Sequence, residues 1–199
     1  MIELYTDRAL RATVLAGQEA GAAGSPRIET EHLLLGLLCD AAEPAFEGAS
    51  PDRDARPHEP EPIGVTALKA LAVDPHELEA RVRSLQSPSP SVVPAPKLMS
   101  RRSKRATARA LLEGRLLGDN YVGTEHLLLG LMWVPRGKAA QALAACGVDR
   151  RTVLREAVRG VDQRAELRRW ASGLVERNAS FRNAVAAMEG PRFRRGSRR

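Results

Sequence analysis

Aromatic residues are scarce in this chain, 4% of its 199 positions, so a buried core here must be assembled from aliphatic side chains. Cysteine is scarcer still. Cys39 and Cys146 fall in no CxxC or CxxH pattern, which argues against a disulfide scaffold or a cysteine-based zinc site; two reduced thiols in a cytoplasmic protein are the expectation. No apolar run approaches the roughly 18 residues that span a bilayer. The opening MIELYTDRAL carries acids where a signal peptide would have a basic segment before an apolar one, so the sequon Asn178-Ala179-Ser180 is discounted as a glycosylation site. A GxxxxGKS or GxxxxGKT loop is missing too, and with it any motif to cradle a triphosphate. Neither a Ser/His/Asp nor a Cys/His constellation can be assembled. The expectation is a protein that is no enzyme and takes no cofactor.

What is present is ordinary in bulk and uneven in detail. Hydrophobic residues make up 43% and charged residues 28%, as in soluble globular proteins. The formal net charge of +7 conceals a polarity: residues 1–98 hold 9 Lys/Arg against 15 Asp/Glu, residues 99–160 hold 12 against 5, and residues 161–199 hold 10 against 4. An acidic first half and a basic second half can attract each other, or the basic half can attract an anionic partner.

The strongest signal is an internal repeat. Thr30-Glu31-His32-Leu33-Leu34-Leu35-Gly36-Leu37 recurs as Thr124-Glu125-His126-Leu127-Leu128-Leu129-Gly130-Leu131, an offset of 94. The same offset carries Arg8 onto Arg102 and Thr6 onto Ser100 without a gap. Each copy opens on a helix, marked by Ala9, Ala12, Ala16 and Ala20 in the first and by Ala106, Ala110, Leu111 and Leu117 in the second. Thr6 and Ser100 are its N-caps, offering side-chain oxygens to free backbone N–H groups. After a polar turn, Thr30 and Thr124 cap a second, Leu-rich helix, with Glu31 and Glu125 where the helix dipole favours negative charge. A third helix runs through Val65, Leu68 and Leu71, matched by Ala140, Leu143 and Ala144. The fourth holds Leu78, Val82 and Leu85, matched by Val153, Ala157 and Val158.

The predicted architecture is therefore all-α: two pseudo-symmetric four-helix repeats plus a C-terminal amphipathic helix. The first repeat spans 1–86. Its residues 43–62, acidic and rich in proline with little to bury, read as a mobile insertion. A Pro/Ser-rich extended linker follows over 87–98, then the second repeat over 99–160. Residues 161–199 form the amphipathic helix, with Leu167, Trp170, Leu174, Phe181, Val185 and Met188 on one face, and a basic tail. That helix packs back on the domain or docks on a partner.

Tyr5-Thr6-Asp7-Arg8-Ala9, with Thr30-Glu31-His32-Leu33 following, resembles the Clp N-terminal repeat of the ClpC, ClpA and ClpB unfoldases. Ser100-Arg101-Arg102-Ser103 through Thr124-Glu125-His126 resembles the second repeat of the ClpC branch, and the likeness covers roughly residues 1–160. Departures are Glu29 where glycine is usual (Gly123 keeps it in the second copy), Met99 for an aromatic, and Arg101 for a proline. The resemblance implies the recognition part of an unfoldase without its motor: a non-enzymatic adaptor or sequestering module for Clp substrates or adaptors, phosphoarginine or Clp-directed small molecules. In some relatives two related pockets bind phosphoarginine, and that role falls here on Thr6, Arg8, Thr30, Glu31, Ser100, Arg102, Thr124 and Glu125. A helix N-terminus and hydroxyl would meet the phosphate, Arg8 or Arg102 would pair with it, and Glu31 or Glu125 would take the guanidinium. The plain alternative is that Thr-Glu only starts a helix and that the arginines tie helices together. Since Gly123 and a compact loop are kept in the second copy, that copy is the one expected to bind if only one does. His32 and His126 read as structural histidines rather than metal ligands. A reading of another class is a nucleic-acid-binding regulator using the basic half.

Overall fold

The computed structural model describes residues 4–42, 59, 62–86, 98–159, 165, 167–169, 172 and 173. Eight helices are present among them: α1 (Asp7–Ala22), α2 (Thr30–Ala42), α3 (Ile63–Ala70), α4 (Pro75–Ser84), α5 (Arg101–Leu116), α6 (Thr124–Met132), α7 (Lys138–Ala145) and α8 (Arg150–Arg159). Thr6 accepts from the Ala9 N–H at 3.1 Å and Ser100 from the Ser103 N–H at 3.2 Å, so both predicted caps open their helices. Gly24 and Gly118, again 94 apart, end α1 and α5 at φ 65° and 72°, a left-handed turn that costs glycine little.

Thr30 and Thr124 do not cap. Thr124 is the first residue of α6 and Gly123 its N-cap. The histidine three residues past the cap satisfies the cap's own amide: His126 Nδ1 accepts from the Gly123 N–H and His32 Nδ1 from the Glu29 N–H, both at 3.0 Å. The two threonine hydroxyls are thereby left for other work.

Within each copy the first two helices cross closely. A Cβ on Gly36 would collide with the Ala12 carbonyl oxygen and stand 2.8 Å from the Ala16 nitrogen; on Gly130 it would collide with the Ala106 carbonyl oxygen and stand 2.8 Å from the Ala110 nitrogen. These positions are again related by 94. The small residues let the backbones touch, which is how a core poor in aromatics packs densely.

The third helices are exchanged between copies. The helix α3 packs on α6 and α8, whereas α7 packs on α2 and α4. Two short parallel bridges follow the same crossed pattern. Tyr5 pairs with Val122 and Ile28 with Met99, through Thr6 N–H to Val122 O at 2.9 Å and Ser100 N–H to Ile28 O at 3.0 Å. Each repeat is completed by the other. On the predicted third and fourth helices Leu68, Leu143, Leu78, Val82, Val153 and Ala157 are buried as expected, but Leu85 and Val158 face solvent.

The described residues of the C-terminal segment are helical. Leu167 is buried, and Arg168 donates to Asp119 Oδ1 at 2.5 Å and to the Leu117 carbonyl at 2.8 Å. Trp170, Leu174, Phe181, Val185, Met188, the basic tail, residues 87–97 and most of 43–62 lie outside the described residues. No described helix is long and apolar enough to cross a membrane.

Candidate functional site

The crossed bridges bring the start of one copy against the second helix of the other, so the eight candidate residues regroup. Thr6 lies with Thr124 and Glu125, and Ser100 lies just ahead of Thr30 and Glu31. Grouping them by copy, as the sequence suggests, does not match the geometry, because the pairing of Tyr5 with Val122 and of Ile28 with Met99 is between copies.

At the start of α6 the seat is filled by Glu59. Its Oε2 accepts from Thr6 Oγ1 at 2.6 Å and from the Thr124 N–H at 3.2 Å; its Oε1 accepts from the Ile63 N–H at 2.9 Å and from Thr124 Oγ1. The Thr124 hydroxyl also accepts from the Gly64 N–H at 3.0 Å, tying α3 to α6. Glu59 is further held by its backbone, donating N–H to Asp7 Oδ1 at 2.9 Å and accepting from Arg8 Nε at 2.9 Å. Residues 43–62 were expected to have little to bury, yet Glu59 is 0% exposed. A helix N-terminus attracts an anion, and here the chain supplies its own.

Beside it, Glu125 is 0% exposed and neither carboxylate oxygen has a hydrogen-bond donor among the described residues. Its Oε1 lies 3.3 Å from His126 Nδ1, but that nitrogen already accepts the Gly123 N–H, so it carries no proton to give. Burial first, and the charge of Glu125 second, push the Glu59 carboxyl up to about 8, against the hydrogen bonds from Thr124, Thr6 and Ile63. The native protein thus binds a proton that the unfolded chain releases near 4.5. Its contribution to stability is greatest below that value and is lost as pH rises through 8, with a slope of at most about 1.4 kcal/mol per pH unit. Glu59→Gln should flatten that decline in urea-melt stability between the two values; an unchanged slope would contradict the assignment.

The start of α2 is built differently. Thr30 is fully buried, and its hydroxyl donates to Glu31 Oε2 at 3.3 Å. Gly137, the N-cap of α7, lies against the Thr30 side chain, and the next residue, Lys138, reaches Glu31 Oε1 with its Nζ at 3.2 Å. Ser100 stands alongside, its hydroxyl 3.2 Å from that of Ser103. Opposite charges therefore face each other at a helix N-terminus, and the lysine side chain is 36% exposed.

The two arginines part company. Arg8 is buried and bonded to Asp40, through its carbonyl at 3.2 Å and Oδ2 at 3.1 Å, so it ties α1 to α2. Arg102 is exposed on α5. Arg8 also donates to the Glu59 carbonyl at 2.9 Å, and the cation beside Glu31 is Lys138. Glu59, Lys138 and Asp40 are missing from the candidates that the sequence offers. Glu59 sits among other acids with nothing to single it out, whereas Lys138 follows Gly137 at a helix start and had that much signal.

Asp119, Glu125 and His126 come within metal-ligating distance of one another, all buried. Yet His126 Nε2 pairs with Asp119 Oδ2 at 3.2 Å while Arg168 takes Asp119 Oδ1, and Nδ1 holds a backbone amide. The ring's two nitrogens are spoken for by protein partners, which suits a structural histidine. Burial beside Glu19 raises the Cys39 thiol to about 11, so it is a poor nucleophile.

Residues 58–146 match the family of the Clp repeat (R) N-terminal domain. The chloroplastic chaperone protein ClpC1 of Oryza sativa subsp. japonica is 30% identical over 161 residues, 81% of this chain and 16% of that protein. The ATP-dependent Clp protease ATP-binding subunit ClpA homolog of Guillardia theta is 31% identical over 159 residues, 80% of this chain and 17% of that one. The chain thus spans about a sixth of the length of these relatives. Among solved structures, the N-terminal domain of ClpD from Arabidopsis thaliana superposes with a TM-score of 0.55 at 22% identity, covering 81% of this chain and 99% of that one. The Hsp104 N-terminal domain from Candida albicans gives 0.56 at 17% identity, covering 77% and 89%. Repeat, crossed helices and these matches agree: the chain belongs to the Clp N-terminal repeat domain family and resembles the N-domains of ClpC-type unfoldases.

Proposed function

We propose that the chain is a non-enzymatic recognition module of Clp proteolysis that receives protein substrates or adaptors in a cytoplasmic setting, and that its ligand group is phosphoarginine-like. The observation that carries this reading is the Glu31–Lys138 pair at the N-terminus of α2, 3.2 Å apart and partly open to solvent. A side chain bearing a guanidinium and a phosphate presents both charges. Glu31 would take the first, and Lys138 with the α2 amides the second. The Lys138 side chain, 36% exposed, can swing toward such a ligand, while Glu31, only 7% exposed, exchanges its ammonium partner for the guanidinium. Glu125 is the equivalent acceptor in the other pocket.

Calorimetric titration of phosphoarginine into the whole chain tests this. Wild type should release or absorb heat saturably, and Glu31→Ala with Glu125→Ala should abolish the signal. Wild type giving no heat would sink the reading.

A further inference from the structure

We propose that Glu59 is an internal occupant of the anion seat at the start of α6, closing that pocket to phosphate-bearing ligands until its carboxyl leaves. The proposal rests on the reading of the two helix starts as ligand seats, and it deals with how one of them is regulated.

Three observations carry it. First, Glu59 makes the contacts a bound anion would make: two backbone amides, Thr124 and Ile63, and two hydroxyls, Thr6 and Thr124, all converge on its carboxyl. Those amides open α6 and α3, and Thr6 is the cap of α1, so three helix starts point at one group. Second, the acid opposite is waiting. Glu125 is wholly buried, and neither oxygen has a donor among the described residues, an unmet demand that a bound cationic group would relieve. Glu59 satisfies the anion half of a two-charge site and leaves the cation half unmet. Third, the pseudo-equivalent seat at α2 holds no such acid among the described residues: there Lys138 meets Glu31. The two pockets descend from one sequence pattern and differ in what the chain itself puts into them.

The occupant is also displaceable. Around it stand Asp7 and Arg8 from α1, which hold its backbone, and Glu125 from α6. Burial beside Glu125 pushes its carboxyl up and so disfavours the charge it carries in the seat. A carboxyl whose charge is so disfavoured is a weaker ligand for a helix N-terminus than a phosphate dianion.

Inorganic phosphate titrated into the ¹⁵N-labelled full chain reads the seat directly through the Thr124 and Ile63 amides. Wild type should show no saturable shift at either. Glu59→Ala should show one at both, with the amides around Glu31 unchanged from wild type as the control for folding. Should the alanine variant unfold, Glu59→Gln keeps the side chain's shape but turns one acceptor oxygen into an NH2 donor facing the donors of Thr6, Thr124 and Ile63, and a saturable shift is expected there too, smaller than alanine's would be. A saturable shift in wild type, or none in a folded Glu59 variant, would overturn the proposal. Phosphoarginine heat in wild type with a flat Glu59→Ala response would remove this inference alone. A phosphate response in Glu59→Ala without phosphoarginine heat in wild type would instead remove the functional reading and keep the role of Glu59.

Discussion

Asp40→Ala is expected to lower the stability of the chain by about 3 kcal/mol or more. The side chain of Asp40 is 0% exposed and takes two guanidinium groups, Arg8 Nη1 at 3.1 Å and Arg11 Nε at 2.6 Å. Its carbonyl accepts from the same two arginines, at 3.2 and 3.0 Å. An aspartate near the C-terminal end of α2 opposes the helix dipole, so the arginines of α1 are what make it tolerable there. Removing the carboxylate takes that counter-charge from Arg8, whose side chain is only 10% exposed. Breaking one side of a buried pair typically costs about 3–5 kcal/mol. Arg11, at 21% exposed, can turn to water, which favours the lower end. Denaturant melts of wild type and Asp40→Ala read this directly; a loss under about 1 kcal/mol would show the cluster to be a surface feature.

The second large effect lies at the helix crossings. Gly36→Ala or Gly130→Ala should each cost about 1–3 kcal/mol, the usual range for overpacking, because the added methyl meets backbone rather than a yielding side chain. The gain in helix propensity from replacing glycine, about 1 kcal/mol, offsets part of this and cannot reverse it. The two sites lie in separate copies, so the losses should roughly add. Against a total stability of about 5–15 kcal/mol typical of domains, the double variant should lose a substantial share of its stability. Thermal melts of both single variants and the double variant measure it. A double variant as stable as wild type would mean that α1 and α2, and α5 and α6, are not packed this closely.

The helices and the caps of α1 and α5 were legible because each rests on local chemistry, whereas Thr30 and Thr124, expected as caps, are the first residues of α2 and α6. Thr6 and Ser100 cap as expected since a hydroxyl before an apolar period has few better uses. The exchange of α3 and α7 was not legible. A repeat in sequence says that two units are alike, and not which unit a given helix packs on. That exchange is what moves Thr6 to Thr124 and Ser100 to Thr30. Arg8 and Arg102 look equivalent at an offset of 94, yet the residue 94 beyond Asp40 is Val134, so only the first has an aspartate to bind. Glu59 resembles Glu61 and Glu47 in every sequence property. Only the convergence of Thr6, Thr124 and Ile63 distinguishes it. The preference for the second copy as the binding one rested on Gly123 and a compact loop. The seat beside Gly123 holds Glu59, and the pair of opposite charges stands at Glu31, so the proposed ligand binding in wild type falls at Glu31.

The central claim is that a helix start carrying paired opposite charges recognises a two-charge side chain. Titration of phosphoarginine into the intact chain, followed by calorimetry, tests it most directly. The account predicts saturable heat at one site per wild-type chain, unchanged in Glu125→Ala and lost in Glu31→Ala. No heat in wild type, or heat that survives Glu31→Ala, would contradict it.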